Sequence, residues 1–151
     1  MIQKLAWVFA IVFLAIGVLG FIPGITTADG HLLGVFEVDA LHNIVHLITG
    51  IIFALVAWKY TAYTTLTFKV FGVVYALVTI VGFVQGNTVL GLFAANMADH
   101  ILHLIIAAVA LYAGFGMKAG GGESHASSMP QSPMGGGGMP NQHGGGGQQG
   151  M

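Results

Sequence analysis

The sequence contains no cysteine and no arginine, and only 6% of its 151 residues are charged. Without cysteine, the chain can form neither a disulfide nor a thiolate metal site. Four lysines are too few for a basic surface that binds nucleic acid, so this class of partner is excluded. A soluble domain usually carries about 25% charged residues, and this chain has too few to cover a water-facing surface. Its residues are instead 56% hydrophobic, which predicts an all-α integral membrane protein embedded in the lipid bilayer.

Four segments are apolar enough, and long enough, to cross a membrane as helices of about 20 residues. We expect the first to be retained rather than removed as a signal peptide, because no small-x-small cleavage site follows it. Residues 1–118 then form a four-helix transmembrane domain. Residues 119–151 are rich in Gly, Met and Gln and lack the apolar surface that offsets ordering entropy, which predicts a disordered tail. The predicted spans are about 5–22, 40–58, 68–84 and 97–115.

The lysines indicate the orientation of the bundle. All four lie on one side of the predicted spans, and the positive-inside rule makes that side cytoplasmic. Asp29, Glu37 and Asp39 lie on the opposite side. We therefore expect an inner (plasma) membrane protein whose two termini are both cytoplasmic. The lysines are Lys4, Lys59, Lys69 and Lys118.

One pattern occurs twice, each time just before a predicted span. Leu-Gly-Val-Phe at 33–36 recurs as Leu-Gly-Leu-Phe at 90–93, an offset of 57 positions. The first and third spans share a second pattern at an offset of 62, in which Phe13 matches Tyr75. Each copy holds two spans, so both copies have the same orientation. The sequence thus predicts a bundle of two parallel two-helix repeats related by a rotation of about 180° about the membrane normal.

Matched glycines also occur in the two copies, Gly20 and Gly24 in the first and Gly82 and Gly86 in the second. Small residues spaced in this way permit close helix contact in membranes. Gly is also common at the ends of membrane helices, so both interpretations stay open.

Ionisable side chains stand where the second and fourth spans begin. Such residues usually face the protein interior, because exposing them to lipid is unfavourable. His42 and His46 are four residues apart and share one helix face, as do Asp99 and His103. The repeat superposes His42 on Asp99 and His46 on His103. If the two helices face each other, the four side chains converge, and three imidazoles with a carboxylate suit zinc, copper or non-haem iron.

A structural role is the alternative for several of these residues. Asp39 and Asn96 have the position and chemistry of helix N-caps. Asp99, three residues after Asn96, can reach back to the Asn96 N–H and complete a capping box.

His46 and His103 can likewise hydrogen-bond between helices, with Asn43 and Asn96 among the partners. We favour this structural role over metal binding. A b-type haem ligated by the same two histidines from two helices is a further alternative. His100 lies about 60° from His103 around the helix and can replace one of the ligands.

The two signatures, running from Gly34 to Leu47 and from Asp99 to Leu104, resemble those of a known family. It comprises the four-span bacterial membrane proteins grouped as domain of unknown function 4383, and the resemblance covers about residues 5–115. It implies a four-span membrane protein and assigns no activity. Asn commonly stands in that family where this chain has Asp39 and His100. The residues that match the family pattern are His42, Asn43, His46, Asp99 and His103.

Three hypotheses about function follow. The first is a non-enzymatic structural or accessory subunit of a larger membrane complex, favoured by the small size and scarce soluble surface. The second is a metal- or haem-binding membrane protein that uses the His/Asp cluster. The third is a small transporter of protons, ions or another solute, which has to form a homo-oligomer to enclose a wide pore. The sequence shows no nucleophile–base set and no nucleotide-binding loop, so we predict that the protein is not an enzyme.

Overall fold

The computed structural model describes residues 1–117, and within them four helices are long and apolar enough to cross a membrane. The prediction of an all-α membrane protein with four spans is confirmed. Lys118 and the predicted tail, residues 119–151, lie outside the described residues. The helices are α1 (Ile2–Leu19), α2 (Ala40–Trp58), α3 (Thr64–Gln85) and α4 (Met97–Leu111). A 3-10 turn at Thr61–Tyr63 precedes α3, and a π-helical turn at Tyr112–Gly116 extends α4.

The helix ends differ from the edges of the apolar runs. The first run continues to Ile22, but α1 ends at Leu19 because the chain turns before Pro23 and Gly24, whose φ is +90°. The third helix begins at Thr64, four residues before its apolar run, and the Thr64 hydroxyl donates to the Thr61 carbonyl. Hydropathy marks the lipid-embedded part of a helix, whereas local hydrogen bonds decide where the helix itself begins and ends.

Each Leu-Gly-x-Phe stretch forms the turn of a short antiparallel hairpin. The first hairpin pairs β1 (His31–Leu32) with β2 (Phe36–Glu37), and the second pairs β3 (Thr88–Val89) with β4 (Phe93–Ala94). Leu33 and Leu90 both have a φ of +54°, and the glycine that follows each of them also has a positive φ. A positive φ is a conformation that glycine adopts readily and that is strained for leucine. The two halves share these features at the predicted offset, and their superposition by a rotation stays a prediction.

Helix α1 packs mainly on α2, and α3 packs mainly on α4. Glycines allow the two helices of each pair to come into close contact. A Cβ added at Gly17 would lie 2.8 Å from the Leu47 side chain, and one added at Gly72 would lie 2.9 Å from Leu111. The pairs therefore depend on small residues at their contact surfaces, as membrane helix pairs commonly do.

The matched glycines Gly20–Gly24 and Gly82–Gly86 do not act as paired contact residues. Gly24 and Gly86 lie beyond the helix ends at positive φ, and no described atom lies within 4 Å of an added Cβ at either. Gly20 and Gly82 instead each leave room for a polar side chain of the neighbouring helix. These side chains are Asn43 for Gly20 and His100 for Gly82.

Aromatic side chains form the core where the two helix pairs meet. The Phe53 ring of α2 and the Phe68 ring of α3 are fully buried, with centroids 5.0 Å apart. Phe9 of α1 packs against both. Phe13 lies one turn further along α1 and leads from this core towards the end of the bundle that carries the hairpins. We call this the hairpin end. It is the end at which α2 and α4 begin.

Candidate metal site at the hairpin end

The first turns of α2 and α4 are held by side-chain caps. The Asp39 carboxylate accepts a 2.8 Å hydrogen bond from the His42 N–H. The Asn96 side chain accepts from the N–H groups of Ala98 and Asp99, and the Asp99 carboxylate accepts from the Asn96 N–H at 2.9 Å. The predicted N-caps and the predicted capping box are thereby confirmed. They fix the first turn of each helix, which in α2 carries His42, and so place His46 and His103 in the turn that follows.

The same caps also bind the hairpin of the other half. The second carboxylate oxygen of Asp39 accepts from the Ala94 N–H of β4 at 2.7 Å. The Asp99 carboxylate accepts from the Glu37 N–H of β2 at 2.9 Å. The Asn96 amide donates to the Val35 carbonyl at 2.8 Å. Each helix start is therefore linked to the opposite hairpin, so the two halves position each other.

His42, His46 and His103 converge below these caps. One ring nitrogen of each lies within 4.8 Å of those of the other two. The ring centroids are 4.5 Å apart for His42 and His46, 5.7 Å for His42 and His103, and 6.1 Å for His46 and His103. All three side chains are buried, with exposures of 2%, 6% and 3%. We call this group the three-histidine cluster.

Asp99, the fourth member of the predicted site, is not in the cluster. Its carboxylate faces the backbone N–H groups of Glu37 and Asn96 instead. Asp99 matches His42 at the sequence offset of 57, yet the two side chains have different partners: the carboxylate binds a hairpin, and the imidazole joins the cluster.

His42 is oriented by a backbone carbonyl. Its Nδ1 lies 2.8 Å from the Ala94 carbonyl oxygen. A carbonyl oxygen only accepts, so Nδ1 donates and Nε2 carries the lone pair. Nε2 is buried and has no hydrogen-bond partner among residues 1–117. A metal-ligating histidine typically has this arrangement, in which the second nitrogen donates to a carbonyl or carboxylate and fixes the ring.

His46 and His103 have a different environment. The Nδ1 atom of each is buried without a hydrogen-bond partner in the described part of the chain. Asn43, one of the predicted partners, has a buried side-chain oxygen that is also unpartnered among these residues. The Asn96 amide is engaged with Val35 and the α4 cap. The interhelical hydrogen bonds that we favoured from the sequence are thus not present within residues 1–117.

His100 does not replace a member of the cluster. Its Nε2 lies 2.8 Å from the Gly86 carbonyl oxygen at the end of α3. Its ring packs over Gly82 and lies 5.7 Å from the Phe83 ring. These contacts hold His100 on the α3 side of α4, outside the three-histidine cluster.

Aromatic rings surround the cluster. Phe13 lies 5.5 Å from His46, Tyr75 lies 5.4 Å from His103, and Phe93 lies 5.6 Å from His42. Such a shell excludes water and strengthens electrostatic interactions inside it. Sequence reasoning did not connect these rings with the histidines. The offset of 62 that pairs Phe13 with Tyr75 was a usable signal, because the repeat also pairs His46 with His103.

The cluster fits a metal ion better than a haem. Tetrahedral Zn²⁺ holds nitrogen ligands at about 2.0–2.1 Å, so their mutual separation is about 3.4 Å. The three ring nitrogens lie within 4.8 Å of one another, so they approach by at most about 1.4 Å when they bind such an ion. A porphyrin would have to lie between His46 and His103. The neighbouring cavity of about 150 Å³ is of the size that accommodates benzene, so a haem does not fit.

Comparison with known proteins identifies a family. A family model described as "Domain of unknown function (DUF4383)" matches residues 3–116. No curated protein and no solved structure matches the chain. The match covers the four membrane helices except Ile2, and it includes the three-histidine cluster.

Proposed function

Because the chain belongs to the family described as a domain of unknown function (DUF4383), which assigns no activity, we propose a function from the geometry of the three-histidine cluster. In this proposal the chain is a small multi-pass membrane protein that binds one transition-metal ion through His42, His46 and His103. The role is non-enzymatic, as a metal-binding accessory subunit of a membrane complex, which its small size and scarce soluble surface favour.

The orientation of His42 carries the proposal. The 2.8 Å contact between its Nδ1 and the Ala94 carbonyl leaves the Nε2 lone pair buried and unpartnered among the described residues. A buried polar atom without a partner is unfavourable by about 1–3 kcal/mol. Three such imidazoles in one place multiply this penalty. A bound cation removes it, because each ring then donates an electron pair to the metal.

The ligand chemistry favours zinc or copper. All three side chains are imidazoles, which suit Zn²⁺ and Cu²⁺, and the chain has no thiolate to offer. Three protein ligands leave a fourth tetrahedral position open, as in zinc sites that keep an exchangeable ligand. This arrangement favours a site that takes up and releases an ion. It is less typical of a closed structural site, in which the protein supplies all four ligands.

Metal titration of the full chain tests the proposal. The protein is purified in mild detergent with a tag that contains no histidine, stripped with a chelator, and loaded with Zn²⁺ or Cu²⁺. We expect one tightly bound ion per chain by elemental analysis. His46→Ala and His103→Ala should each lower the affinity at least about tenfold, the usual effect of losing a ligand or its support.

His100→Asn is the matched control, because His100 is buried on the same helix as His103 and lies outside the cluster. It should keep the wild-type affinity. His125 and His143 are present in every variant, so binding at those positions cannot produce the difference. Equal metal content in wild type, His46→Ala and His103→Ala would overturn the proposal.

A further inference from the structure

A cavity of about 150 Å³ lies between α1 and α4, beside the three-histidine cluster. Its walls are mostly apolar, with Phe13 and Ile16 from α1 and Leu102 from α4. Leu33 of the first hairpin also borders the cavity and is 65% exposed. The cavity therefore reaches the protein surface near the hairpin end. We call it the α1–α4 cavity.

A smaller cavity of about 60 Å³ occupies the equivalent place between α2 and α3. Ile16 lines the first cavity, and Val78, its match at an offset of 62, lines the second. His46 and His103 border both. The two cavities thus lie on opposite sides of the same two imidazoles, and the α1–α4 cavity is more than twice as large. Of the two, it is the one with room for an organic ring.

The polar groups bordering the α1–α4 cavity are few and specific. The imidazole rings of His46 and His103 border the cavity, and neither ring has a hydrogen-bond partner within residues 1–117. The Asp99 carboxylate also borders the cavity: its Oδ2 accepts two backbone N–H groups, and its Oδ1 accepts none from the described residues. A molecule in this cavity therefore meets apolar walls, two imidazole rings and one carboxylate.

We infer that the α1–α4 cavity binds a single six-membered ring that carries an oxygen, the head group of a membrane-dissolved phenol or quinone. An apolar cavity of about 150 Å³ accommodates a benzene-sized ring. Ligand sites of this kind combine apolar walls with a few placed polar groups. Here a neutral imidazole supplies that group, since it can donate to a carbonyl oxygen or accept from a hydroxyl. The mostly apolar lining selects a lipid-soluble molecule.

This inference goes beyond the proposed metal site and is tested without it. The full chain is stripped of metal, reconstituted in nanodiscs and titrated with three fluorinated rings, observed by ¹⁹F NMR. 4-Fluorophenol both donates and accepts, 4-fluoroanisole only accepts, and fluorobenzene does neither. We expect saturable binding of 4-fluorophenol. Fluorobenzene should bind about three- to tenfold more weakly, the contribution of one net hydrogen bond.

A second measurement locates the ring. With ¹⁵N-labelled histidine, saturating 4-fluorophenol should shift the ring nitrogens of His46 and His103 and leave those of His100 unchanged. This measurement uses the wild-type chain and does not depend on the folding of a variant. The 4-fluoroanisole titration distinguishes the two ligand sources. Binding as tight as that of the phenol indicates a quinone-type acceptor, and much weaker binding indicates a phenol.

Two matched variants test the choice of cavity. Ile16→Phe fills the α1–α4 cavity and should abolish saturable binding. Val78→Phe makes the same change in the smaller cavity, at a residue that is also half-buried, and should leave binding intact. Equal affinity for all three rings would refute the oxygen-bearing ligand, and unchanged His46 and His103 nitrogens would refute the site. Neither outcome bears on the metal titration, which is read separately.

Discussion

Polar residues at the hairpin end fall into two chemical groups. Asp39, Asn96 and Asp99 satisfy backbone N–H groups, so their contribution is structural. His46 and His103 each retain a buried nitrogen without a partner among residues 1–117. Since buried polar groups are normally hydrogen-bonded, the second group indicates a ligand, and the first explains how that site is held in place.

Asp99→Ala separates these roles. It removes the acceptor of the Glu37 and Asn96 N–H groups, so we expect the free energy of unfolding to fall by about 1–3 kcal/mol. Metal affinity should stay close to wild type, because Asp99 is outside the cluster. Thermal unfolding and metal titration measure the two effects. Asp99→Asn, which keeps an acceptor oxygen, should be milder. Loss of metal with unchanged stability would make Asp99 a ligand after all.

Gly82→Ala tests the close packing around His100. An added Cβ would lie 2.5 Å from the His100 ring, which is fully buried and bonded to the Gly86 carbonyl. Overpacking of this kind lowers stability by about 1–3 kcal/mol. Thermal unfolding in detergent measures the loss. In the background of His100→Ala the ring is absent, and the same glycine change should then be nearly neutral. An equal loss in both backgrounds contradicts the contact.

At the scale of elements, each hairpin contacts the polar residues at the start of a helix in the opposite half. Ala94 of β4 offers its N–H to Asp39 and its carbonyl to His42, both on the α2 side. Val35 and Glu37 in turn bind Asn96 and Asp99 on the α4 side. A hairpin of two-residue strands is marginal alone. These exchanged hydrogen bonds help to hold both hairpins, and the carbonyl of Ala94 in β4 orients His42.

The two N-cap residues should therefore differ in their effect on metal binding. Asp39→Ala and Asn96→Ala each remove a cap, and each should lower stability by about 0.5–2 kcal/mol. Asp39→Ala also frees β4, whose carbonyl orients His42, so metal affinity should fall about 10- to 100-fold as for other second-layer partners of a ligand. Asn96→Ala should change metal affinity far less. Equal losses of affinity in the two variants would show that the hairpin does not orient His42.

At the scale of the whole molecule, lipid exposure and burial are arranged as a membrane requires. The four helices turn apolar side chains such as Ile11, Ile48, Leu77 and Ile105 outward. The polar residues described above are gathered at the hairpin end, between the helix pairs. Charge asymmetry predicts that this end faces away from the cytoplasm, since Lys4, Lys59 and Lys69 lie at the other end.

Cysteine labelling in intact cells tests this orientation. The chain has no native cysteine, so single substitutions are unambiguous. Ala28→Cys, on an exposed turn near the first hairpin, should react with a membrane-impermeant maleimide. Ala62→Cys, exposed in the turn before α3, should react only after the cells are permeabilised. The reverse pattern would invert the orientation and place the hairpin end in the cytoplasm.

Local chemistry in the chain was enough to predict the membrane class, the four spans and the helix caps. Lipid solvates each segment separately, so an apolar run predicts a membrane span whichever helices that span packs against. The caps Asp39 and Asn96 act on groups only two or three residues away. The His42/His46 spacing likewise placed two imidazoles on one helix face without reference to the rest of the molecule.

Packing between the two halves determined which of the predicted residues lie together in the site. Four groups were predicted to converge, yet His42 joins the cluster and its repeat mate Asp99 does not. Their roles diverge because each side chain meets a different backbone group from the opposite hairpin, a carbonyl at Ala94 and an N–H at Glu37. The hairpins contain leucines at positive φ. Leucine rarely adopts this conformation, so the sequence did not predict it. Contacts between residues more than 50 positions apart form only once the helices have packed, so no local pattern contains them.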